Sequence, residues 1–185
     1  MQDRIIDEVL LLIQQKGVTF TISELAKNLG TSKRTIYEHF TSKDYIIEVI
    51  IDRFISQIKE KEKEIAERED IELLEKIEQI LCFIPKQFQM MEVRLLADLK
   101  KHHFYQWEKL DHFLKKEWSV VIYLMEQAME EGIIRNINLQ LFIELYLGVI
   151  NQIYNPTVLL QNQVTFEEKL EAVMDILLYG ISTNQ

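Results

Sequence analysis

An all-helical protein is what this sequence predicts, on three observations. Apolar residues recur at helical spacing along nearly all of its 185 residues. Glycine and proline are scarce, at five and two, too few for the many tight turns of a sheet-rich fold. Serine and threonine stand just ahead of several apolar runs, where helix N-caps belong. The 48% hydrophobic content argues against a disordered chain, and the length suits a small module joined to a larger one. Cys82 is the lone cysteine, which excludes an internal disulfide and a thiolate zinc cluster. Its place in the apolar run Ile80-Leu81-Cys82-Phe83-Ile84 reads as a buried structural thiol. The charged opening (Asp3, Arg4, Asp7, Glu8) does not resemble a signal peptide. No apolar segment reaches the roughly 18 residues of a membrane helix. A soluble, cytoplasmic protein is therefore expected, with no membrane partner.

About nine helices follow in order. Residues 4–16 carry Ile5, Ile6, Val9, Leu10, Leu12 and Ile13 on one broad stripe, and Gly17 ends them. Thr21-Ile22-Ser23-Glu24 has capping-box spacing and opens a short second helix that buries Leu25, Ala26 and Leu29 before Gly30. A third starts at Thr31 or Ser32 and buries Ile36 and Phe40. Ser42 caps a long fourth helix with Ile46, Ile47, Ile50, Phe54 and Ile58 at helical spacing. The Lys/Glu alternation over 59–64 reads as its solvated end, followed by a loop. Further helices are expected over 73–84 and near 90–104. Another runs from about Trp107 to Glu131, stopped by Gly132. Residues 139–154 are apolar almost all round, so their own chain or another subunit must enclose them. Thr165-Phe166-Glu167-Glu168 is a second capping box, opening a last helix that buries Leu170, Val173, Leu177 and Ile181.

Charge is unevenly spread. The net formal charge is -9, which disfavours nucleic acid bound over the whole surface. Residues 1–50 nearly balance, with six Lys/Arg against seven Asp/Glu. Within 27–43 four basic residues face one acid, Glu38. Residues 21–40 also have the layout of a helix-turn-helix. A local positive feature of that kind on an acidic protein suits a site-limited DNA binder. Lys33 and Arg34 fall in the first turn of the second short helix, within reach of guanine O6 and N7, and Thr35 can touch a base edge or a thymine methyl. Tyr37 and His39 carry polar tips suited to phosphate oxygens. Thr21, at a helix N-terminus, and Lys43 complete the candidate set. Composition and periodicity leave these residues open between DNA contacts and ordinary solvated positions.

The stretch Gly30-Thr31-Ser32-Lys33-Arg34-Thr35-Ile36-Tyr37-Glu38-His39-Phe40-Thr41-Ser42-Lys43-Asp44 resembles the DNA-binding signature of the TetR family of bacterial transcriptional regulators. The resemblance rests on Gly30, Ser32, Lys33, Ile36-Tyr37, Phe40 and Lys43-Asp44, with Thr21-Ile22 and Leu25-Ala26 matching the preceding helix. It implies that Tyr37 and Lys43 grip phosphates. Thr31 stands where relatives carry a small hydrophobe, and Arg34 where they often carry glycine or another small residue; both fit an altered base preference. The link between Gly17 and Ala26 is about one residue short. In fold, the resemblance implies a three-helix DNA-binding domain over 1–47. The long fourth helix would join it to a helical domain over 48–185 that senses a ligand and dimerises. In function, it implies a repressor that binds a palindromic double-stranded DNA operator as a homodimer. The last two helices would form the interface, with Phe142, Leu145, Val149, Ile150, Val173 and Leu177 suited to it. A ligand-independent DNA binder and a helical protein-interaction module are the alternatives.

Large adaptable side chains crowd the middle helices, and six of them, Phe83, Phe88, Met91, Trp107, Tyr123 and Tyr146, are the candidate effector contacts. Each taken singly also reads as plain core. As a group, with the resemblance, they imply a mostly apolar cavity for a hydrophobic or amphipathic effector. Glu92, Glu108 or Glu144 would then be available to a cationic ligand. No enzyme chemistry is expected. Adjacent His102 and His103 point about 100° apart on a helix and cannot easily share one ion. The sequence has no phosphate loop, no paired helical histidines about a glutamate and no nucleophile elbow. No cofactor or metal is expected.

Overall fold

The computed structural model describes residues 1–89, 94–153 and 166–180. Its helices are α1 (Gln2–Lys16), α2 (Ile22–Asn28), α3 (Lys33–His39), α4 (Lys43–Ala66), α5 (Leu73–Cys82), α6 (Lys86–Gln89), α7 (Arg94–His102), α8 (Phe104–Lys116), α9 (Ser119–Glu130), α10 (Leu139–Ile153) and α11 (Phe166–Tyr179). A single 3-10 turn, Gly17–Thr19, links α1 to α2. No described helix is long and apolar enough to cross a membrane.

The expected caps are in place. Thr21 accepts from the Glu24 amide at 3.2 Å while Glu24 accepts from the Thr21 amide at 2.9 Å, so two orphan N–H groups are satisfied reciprocally. Ser32 accepts from the Thr35 amide at 3.1 Å and Ser42 from the Tyr45 amide at 3.0 Å. Gly30, with φ +64°, ends α2 in the left-handed region, and the Thr31 amide reaches back to the Ala26 carbonyl. The Thr165 cap lies outside the described residues.

Two compact units emerge, and they do not follow the division at residue 47. One comprises Met1–Ile55 and Lys86–Phe113, the other Ser56–Pro85 and Leu114–Gln185. In the first, Ile5, Ile6, Val9, Phe20, Leu25, Ile36, Ile46 and Ile47 are buried, and α7 packs on the 3-10 turn. In the second, Ile65, Ile77, Leu81, Leu124, Met125, Phe142, Tyr146, Leu170, Met174 and Leu178 form one core.

Three expectations about elements are corrected. The single helix expected from Trp107 to Glu131 is two, α8 and α9, separated at Glu117-Trp118. The Trp118 indole N–H donates to the Leu114 carbonyl at 2.9 Å, covering an acceptor that a continuous helix would have paired with its backbone. Cys82, the last residue of α5, is half-buried and packs against the core of the second unit, not within it. On α11 the core takes Leu170, Met174 and Leu178, whereas Val173 and Leu177 are only half-buried and Ile181 lies outside the described residues.

Candidate nucleic-acid interface

The seven residues of α3 sort into rows four apart, because i and i+4 share a helix face. Ile36 at 0% and, just past the helix end, Phe40 at 2% exposure form the buried row that seats α3 on its module. Lys33 with Tyr37, and Arg34 with Glu38, are the two outward rows, all four exposed. Thr35 and His39 form the row between that of Arg34 and Glu38 and the buried row of Ile36 and Phe40, and are half-buried. The arrangement presents Lys33, Arg34 and the Tyr37 ring together on one solvent face. Arg34 donates through Nε to Glu38 at 3.2 Å, yet its side chain remains 89% exposed, so such a surface pair holds it only weakly.

Thr35 is less available than its position in sequence suggests. Its hydroxyl shares a 3.0 Å hydrogen bond with that of Ser32, within the cap of α3. Thr21 donates its hydroxyl proton to Glu24 at 3.0 Å, and Lys16 holds the same carboxylate at 2.6 Å. The Lys16 hydrogen bond, then those from the Thr21 amide and hydroxyl, bring the Glu24 pKa down to about 2.

Lys43, in the first turn of α4, is half-buried. Its ammonium donates to the Val18 carbonyl and lies 4.4 Å from the centre of the Phe20 ring. Burial lowers its pKa, and the neighbouring Asp44 and Glu24 oppose that shift. It therefore ties α4 to the 3-10 turn and to Phe20 after it. In the sequence Asp44 enters only as half of the Lys43-Asp44 pair in the family signature; the structure gives it a buried partner, His103, at 2.6 Å. Their separation along the chain leaves no local pattern by which to find the pair.

The effector candidates divide between the two units. Phe88 stacks edge-on against Phe54 at 4.8 Å, and Trp107 lies 5.7 Å from Phe104 with the Lys100 ammonium over its ring; all belong to the first unit. Phe83, Tyr123 and Tyr146 belong to the second. Tyr146 is buried, and its hydroxyl donates to the Leu81 carbonyl at 2.7 Å, near the C-terminal end of α5. Tyr123 is 65% exposed. Met91 and Glu92 lie outside the described residues, while Glu108 and Glu144 are exposed. None of the six lines the open groove of about 610 Å³ in the second unit, formed by Glu78, Gln79, Cys82, Glu168, Glu171, Ala172 and Asp175. Four carboxylates, Glu78, Glu168, Glu171 and Asp175, stand along its lining. Among the described residues, no group of three or more His, Cys, Asp or Glu could hold a metal ion.

Residues 5–50 match the pattern of bacterial regulatory proteins of the tetR family. Over all 185 residues, and 97% of the relative's length, the chain is 42% identical to YvaF of Bacillus subtilis strain 168, described as an uncharacterized HTH-type transcriptional regulator. The chain belongs to the TetR family. As a TetR-family protein it is a helix-turn-helix transcriptional regulator and not an enzyme. Solved structures carry the same fold. The TetR-family regulator PfmR of Thermus thermophilus superposes with a TM-score of 0.74 at 20% identity, covering 98% of this chain and 100% of that one. FadR of Bacillus subtilis, solved in complex with stearoyl-CoA, does so with a TM-score of 0.73 at 20% identity and the same coverage.

Proposed function

We propose that this TetR-family chain is a cytoplasmic repressor that binds a palindromic DNA operator as a homodimer and leaves it when a small hydrophobic or amphipathic effector binds. Residues 1–47 read DNA, and residues 48–185 sense the effector and dimerise. The observation that carries the reading is the outward face of α3. Lys33, Arg34 and Tyr37 stand together in solvent on a short helix seated by the buried row of Ile36 and Phe40, the form in which a recognition helix enters a major groove. Lys33 and Arg34 would read bases, with Thr35 and His39 flanking them. Tyr37, Lys43 and Thr21 would hold phosphates, Thr21 by exchanging its Glu24 partner for a phosphate oxygen.

Pairing through the last two helices is supported by apolar side chains that the single chain leaves bare. These are Leu141 and Leu145 on α10, 53% and 52% exposed, and Ile176 and Tyr179 on α11, each 70% exposed. A charged or polar face would be expected there on a lone subunit. Phe142, suited by sequence to that interface, is instead part of its own chain's core. For the effector, the relative solved with stearoyl-CoA makes a long-chain acyl compound the first class to try.

Selection of duplexes from a random pool by the full chain tests the reading, followed by binding titrations. Inverted repeats should be recovered, and Lys33→Ala/Arg34→Ala should lose preference for them. Stearoyl-CoA should weaken operator binding. Failure to enrich any duplex, or a purely monomeric chain in sedimentation, would overturn the proposal.

A further inference from the structure

Among the described residues, His103 is the polar or charged residue that the fold buries, at 6% exposure. It stands between α7 and α8, and its backbone is pinned on both sides. Its amide donates to the Leu99 carbonyl at 2.8 Å, and its carbonyl accepts from the Trp107 amide at 3.0 Å. A carboxylate oxygen of Asp98, in the same helix, lies 3.0 Å from where a Cβ on Gly17 would sit, so α7 is seated closely on the 3-10 turn. That is also the turn Lys43 grips through the Val18 carbonyl.

Across this seat the Nδ1 of His103 lies 2.6 Å from Oδ1 of Asp44. The Asp44 side chain is 65% exposed. An ionised carboxylate only accepts hydrogen bonds, so Nδ1 carries the proton and donates. Burying an imidazole costs desolvation that an aliphatic residue would avoid, and its hydrogen bond to a charged acceptor offsets that cost. Asp44 is the residue next to Lys43, in the first turn of α4, where the helix dipole also favours a carboxylate. One carboxylate is thus held by the corner between α7 and α8, while the adjoining lysine belongs to the proposed DNA surface.

We propose that His103 is a positioning residue for DNA binding: through Nδ1 it holds Asp44, and so fixes the first turn of α4 with Lys43 placed to meet phosphate. The α7–α8 corner then acts on DNA affinity without touching DNA. This rests on the reading of Lys43 as a phosphate contact.

Binding is measured over a range of salt concentrations, on a duplex selected from a random pool by the wild-type chain and on an unrelated duplex. His103→Leu keeps the volume and removes the donor, and should weaken both duplexes by about tenfold, the loss of one charge-assisted hydrogen bond. Its salt slope should fall by about one, as for Lys43→Ala, because one phosphate contact is lost. His103→Asn, which keeps an N–H near the position of Nδ1, should restore most of the affinity and the slope. Asp44→Ala removes a mostly exposed group and should reproduce the loss even if His103→Leu folds poorly. The double variant should be no weaker than either single one, because both break the same link. A folded His103→Leu or Asp44→Ala with wild-type affinity and slope would overturn the proposal, as would losses that multiply in the double variant. Failure of the wild-type chain to select any duplex would overturn the operator reading and this one with it, whereas a selected duplex bound equally by the variants would overturn this one alone.

Discussion

Helices α3 and α11 are both amphipathic, yet the same period-reading succeeds on one and slips on the other. On α3 only Ile36 and the following Phe40 are apolar enough to go inside, and both are buried. On α11 apolar residues lie nearly all round. The core takes Leu170, Met174 and Leu178, while Ile176 and Tyr179 remain bare and Val173 and Leu177 fall between. A helix with few apolar positions has one way in. A helix with many has several, and its neighbours choose among them. The two regions consequently draw on different interactions: local caps around α2 and α3, and long-range packing in the second unit.

Four measurements would break or sharpen that contrast. Ile77→Ala, at a fully buried position in the second core, should cost about 2–5 kcal/mol in denaturant unfolding, since neighbours from other helices only partly refill the space. A loss below about 1 kcal/mol would mean that this core is loosely packed. Tyr146→Phe should cost about 1–3 kcal/mol by leaving the Leu81 carbonyl without its hydroxyl donor. A neutral effect would show that water replaces the donor.

The third measurement concerns pH. Burial, partly opposed by Lys59, pushes the half-buried Glu62 up to about 7. The native state then binds a proton more tightly than the unfolded chain, so stability falls as pH rises from the ordinary glutamate value through about 7. Glu62→Gln should flatten that fall and stabilise the protein above about pH 7 by about 1–2 kcal/mol, a figure reduced for the carboxyl's remaining solvent contact. Parallel pH profiles for wild type and variant would contradict the assignment. Smallest of the four, Thr21→Ala should cost about 1 kcal/mol through loss of the capping box. Its effect should be confined to the N-terminal module, visible as faster amide exchange in α2 and not in α9.

Much of the proposed interface was legible in sequence because it is built from local rules. Caps act over three residues, a left-handed glycine stops a helix within one turn, and rows on α3 repeat every four positions. Thr21, Ser42, Gly30 and the buried Ile36 and Phe40 followed from such spacings, while the start of α3, open between Thr31 and Ser32 in the sequence, is capped by Ser32. The effector candidates were less legible. Aromatic and sulfur side chains carry no mark separating a cavity wall from core, and Tyr146 is core, with its hydroxyl occupied by the Leu81 carbonyl.

By itself, the sequence determined the helical class, the ends of the first helices and the face of α3 that meets solvent, since each depends on residues no more than a turn or two apart. Tertiary structure alone decided that Lys43 rests on Val18, that His103 finds Asp44, and which face of α11 goes inside. Those outcomes depend on which distant surfaces compete for a given side chain. Periodicity records how a helix divides its own faces, and carries no information about the partner that each face will meet.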